Sequence, residues 1–147
     1  MRQSWGKLRA ILLRGLPVLL LACGSSTMAP SGNSAAGSYS PILWVTTGGS
    51  GQTSELQAGS TLLLNLNADG TTSGHLHIAA SGSRPVFDAD MAGTWVQTGT
   101  SIRISQSADT FIRNTSFEMS PDPVSGWDLA GDTTFASTHI QIILTPA

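Results

Sequence analysis

The sequence predicts an all-β domain, an antiparallel up-and-down meander of about eight strands in residues 41–147. Three observations lead to this fold class. From Pro41 onward, apolar and polar residues alternate over short segments, which is the period of a half-buried strand. Clusters of Gly, Asp and Ser separate these segments, as turns do. Strong helix formers are scarce, because this range contains no lysine and only two glutamates.

Each predicted strand is a short alternating segment bounded by turn residues. Leu62, Leu64 and Leu66 form one face of the second strand. The Asp69-Gly70 pair that follows predicts a hairpin, because glycine accepts the positive φ of tight turns. Consecutive tight turns favour antiparallel neighbours. In order, strands are predicted at residues 42–47, 60–67, 72–79, 86–91, 93–98, 101–106, 109–119, 126–130 and 135–145.

The later strands follow the same alternation. In the fourth, Asp88 and Asp90 point away from the apolar residues between them. In the sixth, Ile102 and Ile104 lie opposite Arg103. Strands spaced at about 8–12 residues are typical of a barrel or a β-sandwich. A small closed barrel is the favoured form, because closure removes exposed strand edges, and the sandwich is the alternative.

Residues 1–22 have the pattern of a secretion signal. An apolar run of seven residues, 16–22, ends in the small residue Ala22 just before Cys23. A transmembrane helix needs about 20 apolar residues, and Arg14 and Pro17 interrupt this segment. The basic residues ahead of the run are Arg2, Lys7, Arg9 and Arg14.

The end of this signal, Leu20-Leu21-Ala22-Cys23, resembles the lipobox of bacterial lipoproteins. The resemblance implies that Cys23 becomes the new N-terminus and is the lipid attachment residue. Each buried CH₂ of an acyl chain contributes about 0.8 kcal/mol, so several chains anchor a protein stably. Gly24 stands where an Asp would imply inner-membrane retention, which favours the outer membrane. An ordinary signal peptide that leaves Cys23 free is the alternative.

The mature chain is predicted to comprise a lipidated cysteine with a flexible Ser/Gly/Ala tether, residues 23–40, and the β domain, residues 41–147. After the signal there are three arginines and no lysine, against nine acidic residues. A nucleic-acid partner is disfavoured, because such binding depends on Lys and Arg at phosphates. Cys23 is the sole cysteine, so no disulfide can form within the chain and a packed core must stabilise it.

Two stretches resemble the repeats of small bacterial lipocalin-like lipoproteins, and the looser META-type domain is similar in style. Residues 62–74 read LLLNLNADGTTSG, and residues 93–104 read GTWVQTGTSIRI. These are similar to the family patterns L-x-L-x-x-D-G-T-x-x-G and G-x-W-x-x-x-G-x-x-I-x-I. The resemblance implies a lipocalin-like β-barrel, and a binding or accessory role rather than catalysis.

The candidate metal ligands are His75 and His77. They stand two apart on a predicted strand, which places both imidazoles on one face about 7 Å apart. Such a pair can bind zinc if His139, Asp88 or Asp90 supplies a third ligand. The alternative is a solvent-facing pair, which we favour because structural zinc sites usually have four ligands of defined spacing. We therefore expect no resident metal and no cofactor.

The candidate ligand-binding residues are Trp44, Trp95 and Trp127. Large aromatic side chains dominate both cores and apolar pockets, so these three could line a ligand pocket or pack a barrel end. Arg84 and the two later arginines are rare positive charges in an acidic chain. Pairing with Asp or Glu is their expected role, and holding an anionic ligand is the alternative.

These observations predict a protein anchored by lipid in the bacterial cell envelope, at the outer membrane facing the periplasm, that binds a small apolar ligand or a protein partner. A non-catalytic structural or interaction module of the envelope is the alternative. A metal-dependent or acid/base enzyme is the third hypothesis, based on the His pair and on Asp88 and Asp90. We expect no enzyme, because the sequence contains no nucleophile elbow and no phosphate-binding loop.

Overall fold

The computed structural model describes residues 34–147 and places no helix among them, which confirms the predicted all-β class. The predicted signal peptide, Cys23 and most of the predicted tether lie outside the described residues. The strands are β1 (Gly37–Gly48), β2 (Gly51–Ser54), β3 (Thr61–Leu66), β4 (Thr71–Ile78), β5 (Phe87–Asp90), β6 (Gly93–Thr98), β7 (Ser101–Gln106), β8 (Ser116–Asp122), β9 (Gly126–Phe135) and β10 (Thr138–Pro146).

Eight of these strands form a closed antiparallel barrel, and β2 and β5 are short additions to it. The order around the barrel is β1, β3, β4, β6, β7, β8, β9 and β10, and β10 pairs back onto β1. A bulge between Pro41 and Leu43 interrupts that closing ladder. Closure excludes the sandwich alternative and protects the backbone groups that an open sheet edge would expose.

The barrel interior is filled by the apolar faces that the alternation predicts. On β3, Leu62, Leu64 and Leu66 are buried, whereas Leu63 between them is 43% exposed. Fully burying one such side chain stabilises the fold by about 1.5–3 kcal/mol. The largest fully buried side chains come from strands all around the barrel: Trp44, Phe117, Leu64, Leu66, Leu76, Met91, Ile102, Ile104, Ile112, Leu129, Ile142 and Leu144.

The two additional strands differ in how they join the barrel. β5 and β6 pair with β4 in one continuous register, since His75 pairs with Asp90 and Thr72 with Gly93. They therefore act as one long strand. β2 and β3 both pair with β1, but out of register with each other. Residues 55–60 between them leave the ladder and form a loop.

The strand predicted at residues 109–119 is wrong in its first half. Residues 107–115 form bends and turns, and β8 begins only at Ser116. Phe111 and Ile112 are adjacent in sequence and both buried, which the alternating faces of a strand do not allow. This segment, which we call the plug loop, instead packs both side chains into the core.

Other strand boundaries also differ from the prediction. β1 begins at Gly37, so residues 37–40 belong to the barrel, and Tyr39 is buried with its hydroxyl donating to Ala35 O at 2.9 Å. β8 continues to Asp122, past the predicted end at residue 119, and includes Pro121. β9 extends to Phe135 and turns into β10 through Ala136 and Ser137. Both have positive φ, 47° and 64°, which is uncommon without glycine and gave no turn signal in the sequence.

Within residues 34–147, no helix is long and apolar enough to cross a membrane.

Candidate functional site: an aromatic cavity at one end of the barrel

A cavity of about 260 Å³ lies at the end of the barrel where β1 and β4 finish and β5 and β10 begin. The plug loop, the β9–β10 turn and the connection between β4 and β5 surround it. Its apolar walls are Trp44, Ile78, Phe87, Phe111, Phe135 and Ile140. A second, more open depression of about 470 Å³ lies against residues of β1 and β8–β10, and no aromatic side chain lines it.

The innermost wall of this cavity is a pair of aromatic rings. Trp44 on β1 is 2% exposed, and its ring centroid lies 5.4 Å from that of Phe111, at an interplanar angle of 46°. Such tilted pairs add about 0.5–1.5 kcal/mol beyond the area they bury. Phe87 and Phe135 are partly exposed, so they form the rim. The cavity is thus closed on its inner side by buried aromatic rings and accessible at its mouth.

Glu55 is the only buried charged side chain among the described residues, with 0% exposure. It follows β2 directly, at the point where the chain leaves the ladder, and its N–H donates to Trp44 O at 2.9 Å. This bond turns the side chain inward toward the cavity lining. Its carboxylate accepts hydrogen bonds from Thr46 Oγ1 at 2.7 Å and Ser60 Oγ at 3.0 Å.

Arg84 neutralises Glu55 by direct contact in the cavity lining. It lies in residues 79–86, the connection between β4 and β5, and its Nη1 and Nη2 each donate to one carboxylate oxygen at 2.7 Å. Nη2 also donates to Ala79 O at 3.0 Å. This two-point geometry is the strong form of the arginine–carboxylate pair. It fastens the connection onto the barrel end.

The pKa of Glu55 reflects a balance of opposed effects. Burial alone would raise it, but the hydrogen bonds from Arg84, Thr46 and Ser60 and the charge of Arg84 outweigh burial and leave the pKa below its ordinary value of 4.5. The same contacts raise the pKa of Arg84. At neutral pH the pair is therefore fully ionised, and together it contributes no net charge to the cavity.

Two polar atoms of the lining residues are buried without a hydrogen-bond partner in the described structure. They are Trp44 Nε1 and Arg84 Nε. An unsatisfied buried N–H group costs about 1–3 kcal/mol, and native folds contain few of them. Among residues 34–147 only one other buried side-chain atom, Gln106 Oε1, shares this condition. Both atoms belong to residues that line the cavity, but neither has surface that a bound molecule could reach.

The three tryptophans predicted as ligand-binding residues lie in different places. Trp44 lines the cavity. Trp95 is buried and its Nε1 donates to Asn67 O at 2.8 Å, which places it near the β3–β4 turn at the opposite end of the barrel. Trp127 on β9 is half-buried and packs against the core. Only Trp44 is therefore brought to this cavity.

His75 and His77, the candidate metal ligands, lie on the outer face of β4. His75 Nδ1 is 3.2 Å from Asp90 Oδ1, and its Nε2 is 3.3 Å from Asp88 Oδ1. His77 Nδ1 is 2.7 Å from that same Asp88 oxygen. Hydrogen bonds that Asp90 and Asp88 accept raise the pKa of His75, and the hydrogen bond with His77 lowers the pKa of Asp88.

His139, the other suggested third ligand, is not part of this cluster. Its Nε2 lies 2.7 Å from Asp132 Oδ1, and the pair stands on β9 and β10. As the side chains of residues 34–147 are arranged, no group of three or more His, Cys, Asp or Glu is set up to hold a metal ion. Two of the three arginines in the β domain form the expected pairs with acidic residues: Arg84 pairs with Glu55, and Arg113 with Asp109 at 3.4 Å.

The residues that sequence reasoning missed at the cavity are Glu55, Phe111, Phe87 and Phe135. Glu55 carries one faint signal, because no other acidic residue precedes Asp69 in the chain. A single acidic residue next to a strand, in a stretch with no other charged side chains, can be buried and paired with a basic residue far away in the sequence. Phe111 gave no usable signal, since it fitted the strand that was wrongly predicted there.

Comparison of the chain with protein-family models, with curated proteins and with solved structures finds no match.

Proposed function

We propose that this protein is a lipid-anchored component of the bacterial cell envelope, at the outer membrane facing the periplasm, whose lipocalin-like barrel binds a small, largely apolar molecule. The observation that supports binding is the aromatic cavity at one barrel end. Ligand sites are concave, mainly apolar, and carry a few placed polar groups. This cavity has all three properties, with Trp44 and Phe111 as its rigid wall.

The size of the cavity supports a small ligand. Ligand pockets usually occupy about 300–1,000 Å³, and this one is about 260 Å³. The residues at the rim, Phe87 and Phe135, are partly exposed, so a longer apolar molecule could extend past them into solvent. A compact ligand, or the end of a longer one, fits this volume.

The electrostatics of the cavity support a ligand without net charge. The lining carries Asp109, which is exposed and pairs with Arg113, and one arginine, Arg84, which is already neutralised by Glu55 through two hydrogen bonds. An anion would have to compete with that carboxylate, and a cation with the guanidinium. A neutral molecule avoids both costs.

Binding without catalysis is favoured by the state of Glu55. A carboxylate has about four lone-pair sites, and four hydrogen bonds from Thr46, Ser60 and Arg84 use them. This carboxylate has no free lone pair with which to take a proton from a ligand. The role of Glu55 that we propose is to hold the barrel end together.

Attachment to the envelope is supported by the sequence, through the lipobox-like end at Cys23 and the tether after it. The family resemblance of residues 62–74 and 93–104 agrees with a lipocalin-like lipoprotein.

A protein partner is the second candidate. Its support is the exposed apolar rim, where Val86 is 53% exposed beside Phe87.

The test is native mass spectrometry of the protein extracted from its own envelope in mild detergent. A reproducible added mass of a small molecule supports the proposal. The matched variants are Thr138→Phe, which places a ring in the cavity lining, and Thr134→Phe, which makes the same change at an exposed site on β9. The added mass should disappear in the first and persist in the second.

Two outcomes contradict ligand binding. One is a clean protein mass in the wild type, together with the absence, on adding a small apolar probe, of any change in tryptophan fluorescence that Trp44→Phe abolishes. The other is equal retention of the molecule by both phenylalanine variants, which would place the site elsewhere. Capture of one envelope protein that depends on Val86 and Phe87 would then favour the partner function.

A further inference from the structure

The connection between β4 and β5 is a short hairpin that continues beyond the last pair of their ladder. That ladder ends with the pair Ile78–Phe87. The two arms meet once more, where the backbone N–H groups of Ser81 and Arg84 donate to each other's carbonyl oxygens at 3.1 Å and 2.9 Å. Gly82, with a φ of 57°, begins the two-residue turn between them. The tip of this hairpin is therefore held together by its own hydrogen bonds.

The residues that join this tip to the ladder are unpaired. Residues 79–80 and 85–86 belong to no strand and form no ladder pair. Pro85 has no N–H group and cannot donate to the opposite arm. Ala80, Pro85 and Val86 are exposed, so little packing fixes their backbone. These three residues can act as a hinge on which the tip turns as one piece.

The side chain of Arg84 alone fastens the tip to the barrel. Its Nη1 and Nη2 donate to the two carboxylate oxygens of Glu55, each at 2.7 Å, and Nη2 also donates to Ala79 O at 3.0 Å. Every hydrogen bond or ion pair that the structure describes between residues 80–86 and the rest of the chain comes from this guanidinium. Separation of one side-chain pair would therefore release the tip.

The fastened tip lies at the mouth of the aromatic cavity. Arg84 lines the cavity, and the last ladder pair, Ile78 and Phe87, forms the wall next to it. Trp44 lies at the inner end and is only 2% exposed, although it lines the same cavity. A molecule that packs against Trp44 must therefore enter past the rim beside this tip.

We propose that residues 80–86 form a lid at the cavity mouth, and that the Glu55–Arg84 pair is the latch that keeps this lid closed. The inference concerns how the cavity is entered, so its role in the cell rests on the proposed ligand binding. When the two hydrogen bonds of the latch separate, the lid turns on its hinge with its own hydrogen bonds intact, and the mouth widens. Arg84 is thus a positioning residue that controls entry and exit.

Both members of the latch keep hydrogen-bond partners when it opens. Arg84 is 37% exposed, so water can hydrate its charge. Glu55 keeps the hydrogen bonds from Thr46 Oγ1 and Ser60 Oγ. A buried carboxylate without any partner would prevent opening, because an uncompensated buried charge is strongly destabilising. The two hydroxyls reduce that cost, so the open lid is a minor state that the chain can reach.

The experiment measures how readily acrylamide, a small neutral quencher, reaches Trp44 in the full chain in detergent. The protein is first washed until its native mass spectrum shows no retained molecule, so that the cavity is empty. Trp44→Phe gives the share of quenching that belongs to Trp44, and Trp95→Phe gives the share of Trp95 at the opposite barrel end. The variants are Arg84→Met, Arg84→Lys and the matched control Arg113→Met, which breaks the exposed pair with Asp109.

Arg84→Met should raise the quenching constant of Trp44 about tenfold, because a hydrogen bond to a charged group shifts a closing equilibrium by at least that factor. Arg84→Lys keeps the charge without the two-point contact and should give a smaller rise. Arg113→Met should leave Trp44 at its wild-type value. Trp95 should be unchanged in every variant, since the opening of a lid does not loosen the other end of the barrel.

The proposal is overturned if Trp44 is quenched equally in the wild type and in Arg84→Met. It is also overturned if Trp95 becomes accessible in parallel, because general loosening of the barrel would then explain both changes. Should Arg84→Met fail to fold, Arg84→Lys decides by the same comparison.

This result is separable from ligand binding, because the quenching assay contains no ligand. A small molecule that is retained by the wild type and lost in Thr138→Phe, together with unchanged access to Trp44 in Arg84→Met, refutes the lid and leaves the binding proposal. Conversely, increased access to Trp44 in a protein that binds no apolar probe leaves the lid and contradicts the ligand.

Discussion

Replacing Glu55 by glutamine removes the charge from the most buried carboxylate of the barrel while keeping its shape. The native side chain accepts four hydrogen bonds, two of them from the Arg84 guanidinium at 2.7 Å. The glutamine amide has one oxygen and one NH₂ group. Its oxygen keeps two of the four donors, and Ser60 can rotate its hydroxyl to accept from the NH₂. One guanidinium N–H is left facing another donor.

The expected cost follows from these contacts. Losing one hydrogen bond to a charged group costs about 1.5–3 kcal/mol, and the remaining bond to Arg84 is roughly halved in strength when its acceptor is neutral. Against this, Arg84 is 37% exposed, so water can rehydrate its charge, and the full cost of breaking a buried pair, about 3–5 kcal/mol, is an upper limit. Between these two limits, we expect Glu55→Gln to lower the free energy of unfolding by about 2–3 kcal/mol at pH 7.

Urea unfolding followed by tryptophan fluorescence measures this loss as a lower midpoint at an unchanged m-value. The difference between the two proteins should depend on pH. Because the native pKa of Glu55 lies below its ordinary value of 4.5, its ionised form stabilises the fold above that value. This contribution is lost as the pH falls through the native pKa. The gap between wild type and variant should therefore close in acid.

Two controls make this reasoning refutable. Glu118→Gln is the same change at an exposed residue on β8 and should cost no more than about 0.5 kcal/mol. In an Arg84→Met background, the cost of Glu55→Gln should fall, since its strongest partner is already gone. The argument fails if Glu55→Gln costs no more than the Glu118 control, or if the gap is independent of pH.

Three further predictions concern the core, the backbone and the anchor. Leu64→Ala removes a fully buried side chain and should lower the free energy of unfolding in urea by about 2.7–5 kcal/mol. Leu63→Ala, at the exposed neighbour, should change it by about 0.5 kcal/mol or less. Equal losses would contradict the assignment of Leu64 to the buried face and Leu63 to the exposed face of β3. Gly74→Ala would place a Cβ 2.0 Å from Leu63 O, at a residue whose φ is +119°. Soluble expression or the urea midpoint of unfolding should therefore drop sharply. A midpoint equal to that of the wild type would contradict the β3–β4 register. Cys23→Ser should move the protein from the membrane fraction to the soluble fraction, and continued membrane association would argue against a lipid at that residue.

Where the apolar alternation and the turn residues agree, the sequence alone predicts the strand bounds correctly. The predicted strands 93–98 and 101–106 match β6 and β7, because Gly99 supplies the positive φ between them. β2 was missed because Gly51–Ser54 contains no apolar residue to show a period. The plug loop was missed because its buried pair, Phe111-Ile112, looks like part of a strand until the barrel end that receives it is known.

The cavity was harder to predict because its contacts are not local. Trp44 could be suggested from residue type alone. The Glu55–Arg84 pair, by contrast, spans 29 residues and exists only because two irregular connections meet at one barrel end. The outer cluster was intermediate in difficulty. The alternation of apolar and polar residues predicted on which face of the sheet His75 and Asp90 lie. Which residues of β4 and β5 pair with each other depends on the length of the connection between these strands.

The pairing of β1 with β10 also brings the two ends of the barrel sequence together. Tyr39 pairs with Pro146, and Ala147 N donates to Ser38 O at 2.9 Å. A Gly/Ser linker from Ala147 to Ser34 would therefore close the chain into a ring, which could be reopened in the β1–β2 turn at Gly49 with every ladder and the buried Ala35 kept. Such a circular permutant would carry the cavity without residues 1–33. Its ligand binding could then be measured in simple buffer, apart from any question of membrane attachment.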